Sequence, residues 1–380
     1  MRRTVLIVAG EASGDKHAAR LVESLKKRED VRVIGIGGDE MKAAGVELIH
    51  HVSEMSVMGF SDIILKIPFF RRVRQDLVAS LEKEKPSAVI LVDYPGFNLR
   101  FAEVAKKKGI RVIYFISPQI WAWGMKRIKK IRRAVDLMLT IFKFEEEMYR
   151  REGIDAHFVG HPLLDELEVF RTSDIERFRK ASSLQPDARL LALFPGSRMQ
   201  EVVRLLPTML ETAEYLRDEL SSRGIPLGVA VACAPGIDKR VYGEIAGRSG
   251  LNVIFTSEAD LLMSAAQGGL IKSGTSTLEA VLHDLPIVVA YKTSWLNYLL
   301  GRLLIKLDSI SLVNIVAGRK IVEEFVQDDF TPKRAGAKLI EIFTRAEFVE
   351  DLMRKYADLK EKLGDKGASD RAAELVLKAM

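Results

Sequence analysis

Thr4-Val5-Leu6-Ile7-Val8-Ala9-Gly10-Glu11-Ala12-Ser13-Gly14-Asp15-Lys16-His17 is the stretch on which the reading of the fold turns. An apolar run is followed by small and polar residues, and then by the amphipathic stretch Ala18–Lys27. That order predicts a strand, a loop and a helix, the opening of a βαβ unit. The apolar run after Arg2 and Arg3 is too short for a secretory signal, and Glu11 and Asp15 follow at once, so it reads as the first strand.

The same rhythm continues outward. Val31–Ile36, Ala88–Val92, Arg111–Ile116, Val135–Thr140 and Ala156–Val159 read as further strands, with Leu99–Lys108 as an intervening helix. A second series follows with Leu190–Phe194, Leu227–Ala232, Asn252–Phe255, Gly269–Ile271 and Ile287–Ala290. Val202–Leu220, Ala259–Ala266 and Thr277–Leu282 are its helices, and Thr331–Met380 reads as helical and charged. The sequence therefore predicts an α/β protein of two Rossmann-like, doubly wound domains. The chain's 380 residues fit two domains better than one, and 48% hydrophobic residues suffice for two cores. The junction is expected within 163–183, giving domains of 1–165 and 166–380 that face each other across a cleft. This is the GT-B plan of sugar-nucleotide transferases; the pattern alone fits an epimerase or another two-domain α/β enzyme equally well.

Composition narrows the classes. No apolar segment is long enough to span a membrane, and the single Cys233 excludes an internal disulfide and fits a reducing cytoplasm. A net charge of +6 favours anionic partners, which include phosphorylated substrates and acidic lipid surfaces. No nucleic-acid-binding module is recognisable. Scattered histidines and one cysteine offer no metal cluster, and there is no Walker loop, so neither metal nor cofactor is expected.

Candidate site residues cluster where predicted strands end, the ligand-facing rim of such sheets. The first loop carries Glu11, Asp15 and His17, all able to move protons; Asp15 or Ser13 also reads as a helix cap. Asp93 closes the third strand of the first series, in Asp93-Tyr94-Pro95-Gly96-Phe97-Asn98, where a carboxylate serves as a general base or anchors the loop. Asn98 reads as the cap of the next helix. Trp121 and Trp123 follow the next strand, suited to an acyl or sugar pocket or to plain packing. The run Lys126-Arg127-Ile128-Lys129-Lys130-Ile131-Arg132-Arg133 suits lipid phosphates or a solvated helix face. Residues 55–74 interleave Phe60, Phe69 and Phe70 with Lys66, Arg71, Arg72 and Arg74, which suits either a membrane-facing segment or a buried helix followed by a basic one.

In the second half, Phe194-Pro195-Gly196-Ser197-Arg198 and Lys272-Ser273-Gly274-Thr275-Ser276-Thr277-Leu278-Glu279 each close a strand. Backbone N–H groups, hydroxyls and the Arg198 guanidinium there suit a diphosphate, and Glu279 suits ribose hydroxyls. Helix capping explains the hydroxyls as well.

Taken in order, Ala9–Asp15, Gly35–Gly38 with Met41 and Gly45, Met55–Gly59, Asp93–Asn98, Ser117–Trp123, Phe158–Pro162, Phe194–Arg198 and Ser273–Glu279 resemble the lipid-A-disaccharide synthase family. The resemblance runs from the first strand to beyond Asn314. It implies an inverting hexosyltransferase that joins UDP-2,3-diacylglucosamine to 2,3-diacylglucosamine 1-phosphate, giving the β-1,6 disaccharide 1-phosphate and UDP without a metal. It implies lipid A biosynthesis in a Gram-negative cytoplasm, at the cytoplasmic face of the inner membrane as a peripheral protein, and leaves the oligomeric state open. Asp93 matches the leading base, with Glu11, His17 and Asp15 beside it as candidates for catalysis. Arg198, Ser273, Gly274, Thr275, Ser276, Thr277 and Glu279 match donor-binding positions, as do Asn314 and Gln327. Gly96 stands where many relatives carry a second Asp, and Val313 and Glu323 stand where proline is common.

Overall fold

The computed structural model describes residues 2–55, 67–121, 124–295, 298 and 309–380. It divides into two compact units, Met1–Asp165 with Leu363–Met380, and Glu166–Lys362.

The first unit is built on β1 (Arg3–Ala9), β2 (Val31–Gly37), β3 (Glu47–His51), β4 (Ala88–Val92), β5 (Arg111–Phe115), β6 (Leu137–Thr140) and β7 (Ala156–Phe158). They form one sheet in the order β3-β2-β1-β4-β5-β6-β7, and every pair is parallel. Val5–Ala9 and Ala88–Val92 are fully buried, the signature of strands covered on both faces. Strand order reverses between β1 and β4, so their carboxyl ends form the topological switch point where such sheets bind ligands. Ala9 pairs with Val92, which sets Gly10 and Asp93 side by side at that edge.

The second unit repeats the plan with β8 (Arg189–Phe194), β9 (Leu227–Ala232), β10 (Val253–Thr256), β11 (Gly268–Lys272), β12 (Ile287–Tyr291) and β13 (Glu323–Val326). The order is β10-β9-β8-β11-β12-β13, again parallel throughout. Its switch point lies between β8 and β11, where Ile271 pairs with Phe194. The loops beginning at Pro195 and at Ser273 therefore leave the same edge.

The chain's end departs from the expected division. Residues 363–380 belong to the first unit rather than the second. The helix Ala368–Ala379 buries Ala368, Ala372, Ala373 and Val376. The Asp165 carboxylate accepts the Gly367 and Ser369 N–H groups at 2.5 and 3.3 Å. Arg371 donates to the Val159 carbonyl at 2.8 Å, and Arg28 reaches Asp370 at 2.8 Å. Periodicity shows that a helix has an apolar face but not which core receives it.

Much of the expected membrane-facing segment, 56–66, lies outside the described residues. In the part that is described, Phe69 and Phe70 pack against the first unit's core while Arg71, Arg72 and Arg74 are exposed. Among the described residues no helix is long and apolar enough to cross a membrane.

Candidate functional site

At the first unit's switch point the backbone is strained. Asp93 and Tyr94 both occupy the left-handed region, with φ of 44° and 48°. Such conformations cost about 1–3 kcal/mol each for residues with side chains and persist only where neighbours over-determine them. Here they do. The Asp93 N–H donates to the Phe115 carbonyl at 3.1 Å, extending the β4–β5 ladder by one bond. Its carbonyl accepts from the Asn98 amide at 2.8 Å and from the Tyr114 hydroxyl at 2.5 Å. Burial, and then the nearby Asp93 carboxylate, push the Tyr114 hydroxyl well above the usual phenol range, so it stays a donor. Asn98 is not the cap expected from sequence: its amide turns back to the Asp93 carbonyl and to the Val92 carbonyl at 3.1 Å.

Gly10 presses against the same turn. A Cβ there would lie 2.3 Å from the Tyr94 ring, so only glycine lets the first loop come this close. That approach brings Glu11 within electrostatic range of Asp93. The half-buried Asp93 carboxyl is pushed up to about 6, first by burial and then by Glu11. The Tyr94 backbone N–H and His17 act the other way. Glu11 itself is exposed, begins the helix Ala12–Arg28, and makes no capping bond.

Asp15 stands apart from this group. It is 4% exposed, and its two oxygens accept the N–H groups of Gly38, Glu40 and Met41 at 2.6, 3.1 and 3.2 Å. Both oxygens are thus spent on the start of the short helix Asp39–Ala43. In this structure Asp15 is a clasp between two βα loops.

In the second unit, Arg198 is exposed, and no described residue pairs with its guanidinium. Its loop is held by Glu201, whose Oε2 accepts the Ser197 and Arg198 N–H groups at 3.1 and 3.4 Å. The other oxygen, Oε1, meets Lys272 Nζ at 3.0 Å. The same ammonium would lie 3.6 Å from a Cβ on Gly274. Lys272 therefore sits between the two loops of this switch point. It ends the strand Gly268–Lys272, and in the sequence it stands out as a lysine that closes an apolar run.

The expected hydroxyl cradle is only partly available. Ser273 Oγ donates to the Ile310 carbonyl at 2.8 Å, and Thr277 Oγ1 to the Gly274 carbonyl at 2.7 Å; both residues are buried. Gly274, Ser276 and Glu279 are half-buried and Thr275 is exposed. The helix Ser276–Leu282 has only seven residues, so its end supplies little field. Positive charge at this edge comes from side chains.

Asn314 and Gln327 are backbone clamps in this structure. Asn314 is 2% exposed, accepts the Ile321 and Val322 N–H groups at 2.7 and 3.0 Å, and donates to the Val322 carbonyl and to Glu324 at 2.9 and 2.6 Å. Glu324 also accepts from Ile310 N, Ser311 N and Ser311 Oγ. Gln327 grips Thr293 by both its N–H and its carbonyl, at 2.8 and 3.1 Å. Among the described residues no cluster of three or more His, Cys, Asp or Glu is arranged to hold a metal ion.

A family profile described as Lipid-A-disaccharide synthetase matches residues 5–378. The chain belongs to the lipid-A-disaccharide synthase family. It is 39% identical over 378 residues to the lipid-A-disaccharide synthase of Myxococcus xanthus, covering 99% of this chain and 97% of that one. It is 41% identical over 379 residues to that of Syntrophus aciditrophicus, with the same coverage. The enzyme is thus a glycosyltransferase of lipid A disaccharide synthesis. Solved structures of similar fold include a UDP-GlcNAc 2-epimerase from Neisseria meningitidis bound to UDP-GlcNAc, with TM-score 0.66 and 14% identity over 99% of this chain and 100% of that one. Another is the calicheamicin glycosyltransferase CalG4, with TM-score 0.63 and 16% identity over 100% and 98%. These likenesses place the fold in the GT-B group.

The geometry around Asp93 predicts its titration. Carbon-detected NMR of the carboxyl should give a midpoint near pH 6. Glu11→Gln removes a negative neighbour, eases ionisation, and should move that midpoint down. A midpoint at the ordinary aspartate value, unmoved by the substitution, would contradict the placement.

Proposed function

We propose that the enzyme transfers 2,3-diacylglucosamine from its UDP ester to the 6-hydroxyl of 2,3-diacylglucosamine 1-phosphate, with inversion. The products are the β-1,6-linked disaccharide 1-phosphate and UDP. The family match over residues 5–378 supports this reading of the substrates, and the base is the Asp93 carboxylate at a switch-point rim, raised to about 6 and therefore mostly ionised at pH 7. A base with that affinity for a proton suits an alcohol nucleophile near neutrality.

Asp93 takes the proton of the acceptor hydroxyl as that oxygen bonds to the anomeric carbon. The bond from the anomeric carbon to the diphosphate oxygen breaks on the opposite side, and UDP leaves with the electron pair. Glu11 raises the basicity of Asp93 through its charge, and His17 moderates it. In the second unit Arg198 and Lys272 hold the departing diphosphate, helped by the N–H groups around Gly274 to Ser276. An ammonium has three donors, so Lys272 can keep Glu201 and still serve a phosphate oxygen. Ser273, Thr277, Asn314 and Gln327 shape these loops through the bonds described above, and Glu279 is assigned to the ribose.

The lipid substrates call for contact with a membrane surface. The short helix Ile128–Ala134 buries Ile128, Ile131 and Ala134 and exposes Lys129, Arg132 and Arg133, with Lys126 exposed just before it. This cationic face supports peripheral binding to anionic lipid at the cytoplasmic face of the inner membrane. Nucleic acid has no place in this reading.

UDP release from UDP-2,3-diacylglucosamine, measured in detergent micelles with and without the monosaccharide 1-phosphate, tests the reaction. Acceptor-dependent release with a disaccharide product is expected; release without acceptor, or none, contradicts it. Asp93→Asn should lower turnover about a hundredfold or more while UDP still binds, and near-normal turnover would remove Asp93 as the base. Lys272→Met should raise the donor KM about tenfold, roughly 1.4 kcal/mol, and an unchanged donor KM would remove Lys272 from the diphosphate site. The protein should sediment with anionic vesicles at low salt and be released as salt rises; protein that stays in the supernatant at low salt contradicts the membrane reading.

A further inference from the structure

The loop after β5 is held by a buried acid that the proposed reaction does not use. Glu145 lies on the helix Lys143–Arg151, is 0% exposed, and has no cation paired with it among the described residues. Its Oε1 accepts the Trp121 indole N–H at 2.9 Å. Its Oε2 and the neighbouring Ser117 Oγ are both buried, and the Ser117 hydroxyl lies within reach of the carboxylate. Burial pushes the carboxyl up to about 7, and hydrogen bonds from Trp121, Ser117 and the backbone at Phe142 and Ile141 only partly offset this. One turn further along the same helix, the Tyr149 hydroxyl donates to the Pro118 carbonyl at 3.0 Å.

Those two anchors grip a strained segment. Ile116 has φ of 62°, a β-branched residue in the left-handed region, immediately before Ser117. Trp121 meets Phe144 edge-on at 5.4 Å, and Phe144 stacks on Phe142 at 5.6 Å. The indole is therefore fixed at its nitrogen and along one edge, while the residue stays half-buried. β5 is the strand beside β4, and the Phe115 carbonyl takes the Asp93 N–H. The loop that carries Trp121 thus leaves the sheet one strand from Asp93.

We propose that Glu145 is a positioning residue for the acceptor: it fixes the half-buried Trp121 indole, which receives the apolar C–H face of the acceptor's sugar ring. An aromatic ring held at both edge and nitrogen binds such a face without losing further freedom of its own. A carboxylate buried without a paired cation is costly to keep as packing alone, which argues for a role beyond filling space. The proposal rests on the reading of the first unit as the acceptor side.

The test is steady-state kinetics on the full chain, with UDP-2,3-diacylglucosamine and the monosaccharide 1-phosphate varied separately. Glu145→Gln keeps an acceptor oxygen for the indole and should stay within about threefold of wild type in both KM values, since a neutral hydrogen bond replaces a similar one. Glu145→Leu should raise the acceptor KM about tenfold or more, with the donor KM and UDP affinity unchanged. Trp121→Phe should do the same, and it carries the test if Glu145→Leu does not fold. An unchanged acceptor KM in Trp121→Phe overturns the proposal. So does an equal rise in both KM values with a lowered Tm in Glu145→Leu, which is the mark of a purely structural acid. If the wild type shows no acceptor-dependent release, the acceptor reading itself falls and takes this proposal with it; that result is distinct from a wild type that turns over and variants that do not differ from it.

Discussion

The left-handed turn at Asp93 and Tyr94 is the constraint around which the first unit is organised. Asp has only a modest tendency toward that conformation and Tyr has none. It is held by the Asn98 amide, the Tyr114 hydroxyl and the β5 ladder on one side, and by the flat contact with Gly10 on the other. Each of these comes from a different element. The turn exists only once the sheet has formed around it, and in return it aims a carboxylate off the end of a buried strand. The shift of Asp93 toward neutrality follows from the same packing, first through burial of the carboxyl and then because the contact that seats Tyr94 also brings Glu11 near.

The second unit meets a different demand with the same topology. Its switch point presents cations rather than acids, and it keeps them in place with carboxylates. Glu201 fixes the loop bearing Arg198 and at the same time holds Lys272. Glu324 and Asn314 lock residues 310–314 against β13. A chain with a modest positive excess can therefore concentrate positive charge at one edge, where a diphosphate would need it.

Much of this was legible in the sequence, and the exceptions share a cause. Buried parallel strands are continuous apolar runs, so the fully buried Ala88–Val92 and the mostly buried Leu227–Ala232 were readable residue for residue. The edge strands Glu47–His51 and Glu323–Val326 were not, since an edge strand need not be apolar. The strand ends that carry Asp93 and Arg198 were visible because topology fixes where rims fall. The clasp made by Asp15 was not legible, because its partners, Gly38 to Met41, lie over twenty residues away. The clamps made by Asn314 and Gln327 were likewise hidden, since each side chain serves backbone outside its own turn, 7–8 residues away for Asn314 and 34 for Gln327. Glu145 gave no signal, since an acid in a charged helix gives no sign of complete burial until its tertiary neighbours are known.

The structure of the enzyme with the monosaccharide 1-phosphate acceptor bound is the measurement that bears most directly on this account. It predicts the acceptor 6-hydroxyl within hydrogen-bond reach of the Asp93 carboxylate, about 2.6–3.2 Å, with the left-handed turn unchanged. A 6-hydroxyl that meets Glu11 or His17 instead, with Asp93 turned away from the acceptor, would contradict it.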